Sequence, residues 1–458
     1  MSELESKIVR VLFPGERAPT GCVACRIGKN VSLRTRELEL FCFRKISERD
    51  EELVLLAGAI AFADRRFKRS IVSWHRSIHI VMPVAQPDAW REPGIATHLA
   101  EALRFVSGDT WTFEFVLRKG RLPIVNQPEL DLDGAGEFVV IPFSSGLDSF
   151  AQSRLLTKCG FQETPIRITA WNRGVGGSRD WVTDPHSFGG RHRRVAIPVH
   201  VETEFGAELS YRTRTFMFSI LAGLAAHLSK AKKIVIPEAG QGAFGPSLVM
   251  LGNESPHRGS HPGFSRRMEA FFAHFWGHSI ELVHPQIWKT KGQVLKEVVG
   301  ENLSAGWDRT RSCSRGPRDL RSGLACGVCT GCMLRRLAVF SAGLQEPEGT
   351  YLWSDLSTDT FEAAVASNFR RSVTVNDRDI AVHAVLALES LAREADPSPA
   401  PIYHQETLFE SFGPLPNKIQ EAGPRLAGLL QEHRSEWRAF TSALGSESWV
   451  NQQIAAHC

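Results

Sequence analysis

Hydrophobic and polar residues alternate in different ways along the chain, and the pattern divides the sequence into three zones. In the first zone, residues 1–130, short apolar runs with strand-like alternation are mixed with two helical runs. The predicted strands are Lys7–Phe13, Leu38–Phe43, Ile71–Val81 and Trp111–Leu117, and the predicted helices are Glu51–Phe67 and Ile95–Phe105. This mixture predicts an accessory α+β module.

In the second zone, residues 131–345, continuous apolar runs alternate with amphipathic helical runs. The predicted strands are Phe138–Phe143, Ile166–Trp171, Val195–Val201, Lys233–Pro237 and Ile280–His284, and the predicted helices are Ser149–Leu156, Thr213–Ser229, Ser265–Trp276 and Lys289–Val299. Strands that alternate with helices form βαβ units, which give a parallel sheet with helices on both faces. We therefore expect an α/β domain in the middle of the protein.

The third zone, residues 346–458, is predicted to be helical. Its apolar periodicity indicates helices over Phe361–Phe369, Ile380–Ala395 and Asn417–Leu444. The proline-rich stretch Asp396–Pro401, which is typical of a linker, separates the last two.

The composition narrows the class of protein. With 43% hydrophobic and 23% charged residues, the chain of 458 residues is globular rather than disordered or collagen-like. A formal net charge of +4 is too small to indicate nucleic-acid or membrane binding. The longest apolar runs, Leu53–Ala63 and Phe216–Ala226, are about half of the roughly 20 residues that a membrane helix needs. Because the N-terminus is acidic where a secretory signal is basic, we expect a cytoplasmic protein.

The segment Phe138–Phe150 combines a buried strand, a run of small residues and a helix start. Small residues let backbone N–H groups approach an oxyanion, and the helix N-terminus adds a partial positive charge. The pattern predicts a phosphate loop over 144–149, in which Asp148 holds Mg²⁺ or fixes the loop. A serine-rich turn that merely opens a helix is the alternative. The residues predicted to contact the phosphates are Ser144, Ser145, Gly146 and Ser149.

Nine cysteines are present, and four of them follow the spacing C-x12-C-x2-C-x2-C: Cys313, Cys326, Cys329 and Cys332. In a reducing compartment such a cluster indicates metal binding rather than a disulfide framework. Four thiolates suit tetrahedral zinc in a closed site, which is structural because it has no open coordination position. A four-cysteine iron–sulfur cluster is the competing assignment, and unliganded cysteines are the third.

Four segments together resemble a known family. The loop is similar to the Ser-Gly-Gly-x-Asp-Ser signature of the PP-loop ATP pyrophosphatases, with Ser145 in place of the first glycine. Ala325–Arg336, which reads Ala-Cys-Gly-Val-Cys-Thr-Gly-Cys-Met-Leu-Arg-Arg, resembles the zinc motif of the 7-cyano-7-deazaguanine synthases, which are PP-loop proteins. Thr290–Val294 is similar to their Thr-Lys-x-Glu-Ile segment, and Arg212–Met217 to their arginine-containing helix start. The resemblance covers roughly residues 138–345.

The sequence also departs from the biosynthetic enzymes. The spacing from Cys313 to Cys326 is longer, and the two flanking zones have no counterpart. Elongated relatives of this kind look like the synthase-like proteins of bacterial antiphage defence operons, the Qat and type IV CBASS classes. Ser107–Phe115 is similar to a string in their N-terminal domains.

The resemblance implies an adenine nucleotide α-hydrolase-like (PP-loop) α/β domain that uses ATP and Mg²⁺ and carries a structural Zn²⁺. Lys291, near a predicted helix start, and Glu238, just after a predicted strand, occupy positions where α/β sheets bind ligands. Glu238 and the glycine-rich segment Gly240–Gly245, which is predicted to be a loop, are expected to line the pocket of the base-like substrate. The residues assigned to catalysis are Asp148, Ser149 and Lys291. Those assigned to nucleotide or substrate binding are Ser144, Ser145, Gly146, Leu147, Asp148, Ser149, Arg212, Arg214 and Glu238.

The implied activity is that of an AMP- and pyrophosphate-forming ligase. It would adenylate a 7-deazaguanine carboxylic acid and then form an amide with an amine. We expect a macromolecular acceptor, the N-terminal amine of a protein encoded nearby, because the flanking zones add surface of the size used in protein recognition. One alternative is the biosynthetic synthase, which uses ammonia and gives a nitrile. Another is a non-catalytic nucleotide-binding subunit, which Ser145 favours; modification of tRNA or DNA is disfavoured by the modest charge. A homodimer is compatible with any of these.

Overall fold

The protein is described from a computed structural model, and its chain divides into two compact units. The first unit comprises Met1–Ser144, Cys159–Ile236 and Asn253–His284, and the second comprises Ser145–Lys158, Pro237–Gly252 and Pro285–Cys458. The structure describes residues 7–42, 44–70, 72–120, 137–144, 146–158, 163–171, 193–203, 208–249, 252, 254–316, 320, 322–367, 369, 371–395 and 402–457. Among these residues no helix is both long and apolar enough to cross a membrane.

One sheet of the first unit has four strands, in the order β2-β1-β4-β5. Every neighbouring pair in it is parallel. Its strands are β1 (Lys7–Leu12), β2 (Val23–Arg26), β4 (Ser77–Val84) and β5 (Thr110–Leu117), and the helices of this zone are α1 (Arg36–Cys42), α2 (Glu48–Arg66), α3 (Pro87–Arg91) and α4 (Pro93–Ser107). The α+β prediction for the first zone is therefore wrong, because parallel strands joined through helices form an α/β arrangement.

The second sheet of the first unit has six strands, in the order β10-β9-β6-β7-β8-β3. Five are parallel, and β3 joins the edge antiparallel to β8. The strands are β3 (Val31–Leu33), β6 (Glu137–Pro142), β7 (Glu163–Trp171), β8 (Arg193–Val201), β9 (Lys233–Val235) and β10 (Glu281–Val283). Strand order reverses at β6 and β9, as in doubly wound α/β sheets.

Helices α6 (Arg214–Ser229) and α8 (Pro262–Trp276) pack in the core of the first unit. Helix α6 is apolar around almost its whole circumference, which is typical of a helix that is buried on every side. The predicted strands and helices of the second zone are all present, so the α/β prediction for this zone is confirmed. The strand predicted over Leu38–Phe43 is wrong, because residues 38–42 belong to helix α1. A short run of alternating residues also fits a helical turn.

The second unit is helical. Its helices are α5 (Leu147–Lys158), α7 (Gly240–Leu248), α9 (Lys291–Gly300), α10 (Thr330–Ser341), α11 (Val375–Arg393), α12 (Ile402–Phe412), α13 (Pro416–Leu444) and α14 (Trp449–Ala456). The prediction of a helical C-terminal zone is confirmed, but the helix predicted over Phe361–Phe369 is wrong. Phe361 instead stacks on Trp353 at 5.2 Å between ring centroids, and Val365 forms a β-bridge with Trp353. These contacts hold the segment in turns.

Candidate functional site

Three charged side chains converge in the second unit. Lys291 Nζ lies 2.7 Å from Asp148 Oδ2 and 3.8 Å from Glu238 Oε1. The side chains of Lys291, Asp148 and Glu238 are 7%, 16% and 27% exposed, respectively. Asp148 stands in the first turn of α5, Lys291 is the first residue of α9, and Glu238 precedes α7. The structure thus brings together three of the residues that the sequence predicted for one site. We call them the Asp148 cluster.

The electrostatics of the Asp148 cluster favour a charged lysine held between two acids. Burial by itself lowers the pKa of Lys291, but the attraction of Asp148 and Glu238 outweighs burial, so the pKa is raised. Burial, together with repulsion from Asp148, raises the pKa of Glu238 to about 7. Glu238 therefore exchanges a proton near neutral pH, while Lys291 remains a cation.

The position of Glu238 depends on the start of helix α7. A Cβ atom on Gly242 would lie 2.1 Å from Glu238 Oε1, so only glycine allows this carboxylate to fold over the helix turn. The stretch Gly240–Gly245 was expected to be a loop that lines a pocket. The loop conformation is wrong, because these residues form the first turns of α7, with Ala239 as the N-cap. Their place beside the substrate pocket stays a prediction. The glycines here permit close packing.

The predicted phosphate loop is described on both sides of Ser145, which itself lies outside the described residues. Ser149 is buried, and its Oγ donates a hydrogen bond to the Gly146 carbonyl at 3.0 Å. Leu147 is also buried. Ser144 is exposed and belongs to the first unit. In this structure Ser149 stabilises the turn that opens α5.

Arg212 and Arg214 lie in the first unit, at the start of α6. Arg212 is buried; its Nη2 lies 3.1 Å from Glu254 Oε2, and its guanidinium lies 4.8 Å from the centroid of the Trp74 ring. Burial lowers the pKa of Arg212 despite the attraction of Glu254. Arg214 is exposed. Their assignment to nucleotide binding stays a prediction.

Sequence reasoning missed a set of polar residues that hold the start of helix α9. The backbone N–H of Lys291 donates to Gln241 Oε1 at 2.8 Å, and Gln241 Nε2 lies 2.7 Å from His433 Nδ1. On the same turn, Thr290 Oγ1 donates to Glu436 Oε1 at 2.8 Å. His433 and Glu436 come from α13, more than a hundred residues from Lys291 along the chain. No local pattern links them, so only the tertiary structure shows the connection.

The four cysteines also converge in the second unit. Cys326 Sγ lies 3.6 Å from Cys313 Sγ and 3.8 Å from Cys332 Sγ, and all four ligand atoms lie within 4.8 Å of one another. Four sulfurs bound tetrahedrally at about 2.3 Å from one zinc are about 3.8 Å apart, which matches this spacing. In a four-iron cluster each cysteine binds a different iron, so the sulfurs must lie farther apart. The residues fit one metal ion. The predicted ligand set is thus brought together.

The backbone around the cysteines supports anionic sulfur. The Cys326 N–H donates to Cys313 Sγ at 3.3 Å, and the Cys329 N–H donates to Cys326 Sγ at 3.3 Å. The turn between them needs Gly327, which has a φ of 89° and approaches the Trp353 carbonyl too closely for a side chain. Arg336 Nε donates to the Gly327 carbonyl at 3.0 Å and closes the turn. The cysteines, except for half-buried Cys313, are shielded from solvent.

No protein-family model matches the chain, and no curated protein is significantly similar to it.

Proposed function

We propose that this protein is an ATP-dependent ligase of the 7-cyano-7-deazaguanine synthase type, which adenylates a 7-deazaguanine carboxylic acid and passes the acyl group to an amine. The observation that carries the proposal is the Asp148 cluster. It places a buried lysine beside the first turn of α5, in the segment that follows a parallel strand and resembles a PP-loop signature. The helix N-terminus and Lys291 attract the phosphates of ATP, and Mg²⁺ held by Asp148 would offset the charge of the carboxylates.

The first step is attack of a carboxylate oxygen of the acid on the α-phosphorus of ATP. The bond from the α-phosphorus to the bridging oxygen breaks, and pyrophosphate leaves with the electron pair. Negative charge builds up on the pyrophosphate, so a cation placed there lowers the barrier. Lys291 supplies this cation by exchanging its ion pair with Asp148, at 2.7 Å, for the pyrophosphate oxygens.

The second step is attack of the amine on the carbonyl carbon of the acyl-adenylate, with AMP as the leaving group. The amine nitrogen must lose a proton as the amide forms. Glu238, whose pKa is raised to about 7 by burial and by Asp148, accepts that proton near neutral pH. The proposed role of Glu238 is thus proton acceptor as well as part of the substrate pocket.

Two metal ions fit the donor atoms. The carboxylate of Asp148 offers the kind of oxygen ligand that Mg²⁺ prefers, and Mg²⁺ there would neutralise charge on the phosphates of ATP. The four cysteines offer the thiolates and the spacing of a structural Zn²⁺, which would stabilise the fold of the second unit without taking part in the reaction.

For the amine, we propose the N-terminus of a partner protein encoded nearby, in an antiphage defence setting. Its pKa near about 8 leaves a usable neutral fraction, whereas a lysine near about 10.4 is mostly protonated. The alternative that uses ammonia gives a small amide or nitrile instead. Intact mass spectrometry of the candidate partner distinguishes them: a mass increase supports the protein acceptor, and a free amide or nitrile supports ammonia.

Product analysis tests the reaction class. We expect ³¹P NMR of the protein with ATP, Mg²⁺ and 7-carboxy-7-deazaguanine to show AMP and pyrophosphate. Asp148→Asn removes the carboxylate proposed to hold Mg²⁺ and should abolish this conversion. Asp308→Asn, an exposed carboxylate of the same unit, is the matched control and should keep it. Formation of ADP, or full activity of Asp148→Asn, would show that the proposal is wrong, and nucleotide binding without turnover would favour a non-catalytic subunit.

A further inference from the structure

The first backbone N–H groups of a helix have no partner within the helix. Lys291 is the first residue of α9, and its N–H donates to the side-chain oxygen of Gln241 at 2.8 Å. Thr290 is the N-cap, and its hydroxyl accepts from the Gln293 N–H at 3.0 Å. The cap therefore serves the third residue of the helix, and Gln241 serves the first.

The hydrogen-bond chain continues from Gln241 into helix α13. Gln241 Nε2 lies 2.7 Å from His433 Nδ1, and His433 Nε2 lies 2.9 Å from the Leu388 carbonyl. A carbonyl only accepts, so His433 Nε2 carries the proton and donates. An amide nitrogen only donates, so His433 Nδ1 has no proton and accepts. One consistent arrangement thus runs from Lys291 to Leu388.

This arrangement requires a neutral imidazole. Protonated His433 would present an N–H to the amide nitrogen of Gln241, and two donors would face each other. Burial lowers the pKa of His433 to about 4, although the Leu388 carbonyl and Glu389 act in the opposite direction. His433 and Gln241 are both buried, so no water competes for their hydrogen bonds. The orientation of the Gln241 amide, and hence the acceptor for Lys291, is fixed by His433.

We propose that Gln241 and His433 are positioning residues, through which helix α13 fixes the backbone of Lys291 and aims its ammonium group at the ligand of the Asp148 cluster. The ligand that Lys291 contacts depends on the proposed function. The hydrogen-bond chain from Lys291 to Leu388 does not depend on it. It gives the C-terminal zone, which has no counterpart in the shorter synthases, a direct part in building the site.

Substitutions of His433 separate positioning from stability. In His433→Asn the amide oxygen replaces Nδ1 as an acceptor for Gln241, and the bond to Leu388 is lost. In His433→Gln the amide nitrogen replaces Nε2 as a donor to Leu388, and the acceptor for Gln241 is lost. Gln241→Leu removes the chain altogether. His404→Gln, at a buried histidine in α12 that lies 2.8 Å from Glu394, is the matched control.

The first readout is hydrogen–deuterium exchange of the Lys291 amide at single-residue resolution, which needs no turnover. We expect exchange at least about tenfold faster in His433→Gln and Gln241→Leu, and close to wild type in His433→Asn and His404→Gln. Thermal melts identify any variant that fails to fold. Unchanged exchange in folded Gln241→Leu, or equal acceleration in both His433 variants, would overturn the proposal.

The second readout is the kinetics of AMP formation. Because Lys291 is proposed to act on the departing pyrophosphate, the fast-exchanging variants should lose about 10- to 100-fold in kcat, with a smaller change in KM for ATP. His433→Asn should restore most of kcat. A wild-type protein that forms no AMP would refute the proposed function while the exchange data still test the positioning. An increase in KM for ATP with no change in kcat would contradict a role through Lys291.

Discussion

The two candidate sites of the second unit, the four cysteines and the Asp148 cluster, differ in the charges of their side chains and in their exposure to solvent. The four cysteines are alike, they lie within 4.8 Å of one another, and backbone N–H groups donate to their sulfurs. The Asp148 cluster contains one buried cation and two acids that are partly open to solvent. The spacing of the four cysteines fits a single metal ion bound by all of them. In the Asp148 cluster, two acids share one lysine.

This difference indicates what each site is suited to do. A metal ion held by four thiolates would have no position open for a substrate, so its contribution would be to folding. A lysine shared between two carboxylates can exchange one partner for an incoming anion with little rearrangement. The pKa of Glu238, raised to about 7 by burial and by Asp148, adds a group that takes up or releases a proton near neutral pH. The four cysteines are suited to stabilising the fold, and the Asp148 cluster is suited to exchanging an ion-pair partner or a proton.

Loss of a cysteine ligand should have the largest effect. Cys329→Ser removes one of the four ligands, and since structural zinc contributes about 10 kcal/mol or more in zinc-finger peptides, we expect the metal to be lost and the melting temperature to fall by at least about 10 °C. Metal analysis and thermal melts measure both. Cys22→Ser in the first unit is the control and should keep metal and melting temperature. One metal ion per chain retained in Cys329→Ser would contradict the assignment.

Loss of the central lysine should affect activity more than stability. Lys291→Met leaves Asp148 and Glu238 side by side without a cation, and we expect pyrophosphate release to fall by roughly 100- to 1000-fold. Removing the attraction of Lys291 also raises the pKa of Glu238 further, so the stability loss should be greater at pH 8 than at pH 6.

The matched control is Lys289→Met. Lys289 Nζ lies 2.5 Å from Glu297 Oε2, but both side chains are about two-fifths exposed. An exposed pair of this kind contributes less than about 1 kcal/mol, so activity and melting temperature should stay near wild type. Equal losses in Lys291→Met and Lys289→Met would remove the distinction between the cluster and an ordinary surface ion pair.

A smaller effect, on stability against pH, is expected at Glu436. This side chain is 5% exposed, and its Oε2 has no hydrogen-bond partner within the described part of the chain. Burial, together with repulsion from Glu432, raises the pKa of Glu436 to about 7. The folded state therefore holds the proton more tightly than the unfolded state, and the contribution of Glu436 to stability falls as pH rises from about 4.5 through 7.

Glu436→Gln removes this titration. We expect the variant to be more stable than wild type at pH 8, by on the order of 3 kcal/mol at most, and nearly equal to it at pH 5. Urea unfolding at both pH values measures the difference. Glu421→Gln, at an exposed position of the same helix, is the control and should leave the pH dependence of wild type. Parallel stability curves for Glu436→Gln and wild type would show that the buried carboxyl does not titrate as described.

The sequence predicted those features that depend on neighbours along the chain. Continuous apolar runs between amphipathic helices identified the parallel sheet, and cysteine spacing identified the four cysteines that could hold a metal ion, because both patterns are local. Alternation alone misassigned Leu38–Phe43, and glycine content misassigned Gly240–Gly245, since glycine serves loops and close helix packing equally. Partners brought together by tertiary packing, such as Gln241 with His433, leave no local pattern.

The central claim is that ATP is cleaved between its α- and β-phosphates by formation of an acyl-adenylate. Exchange of labelled pyrophosphate into ATP tests it most directly, in the presence of Mg²⁺ and 7-carboxy-7-deazaguanine and without an amine. Reversal of the first step predicts labelled ATP that depends on the acid and that is lost in Asp148→Asn. No exchange by metal-replete wild-type protein, or release of ADP and phosphate in its place, would contradict the claim.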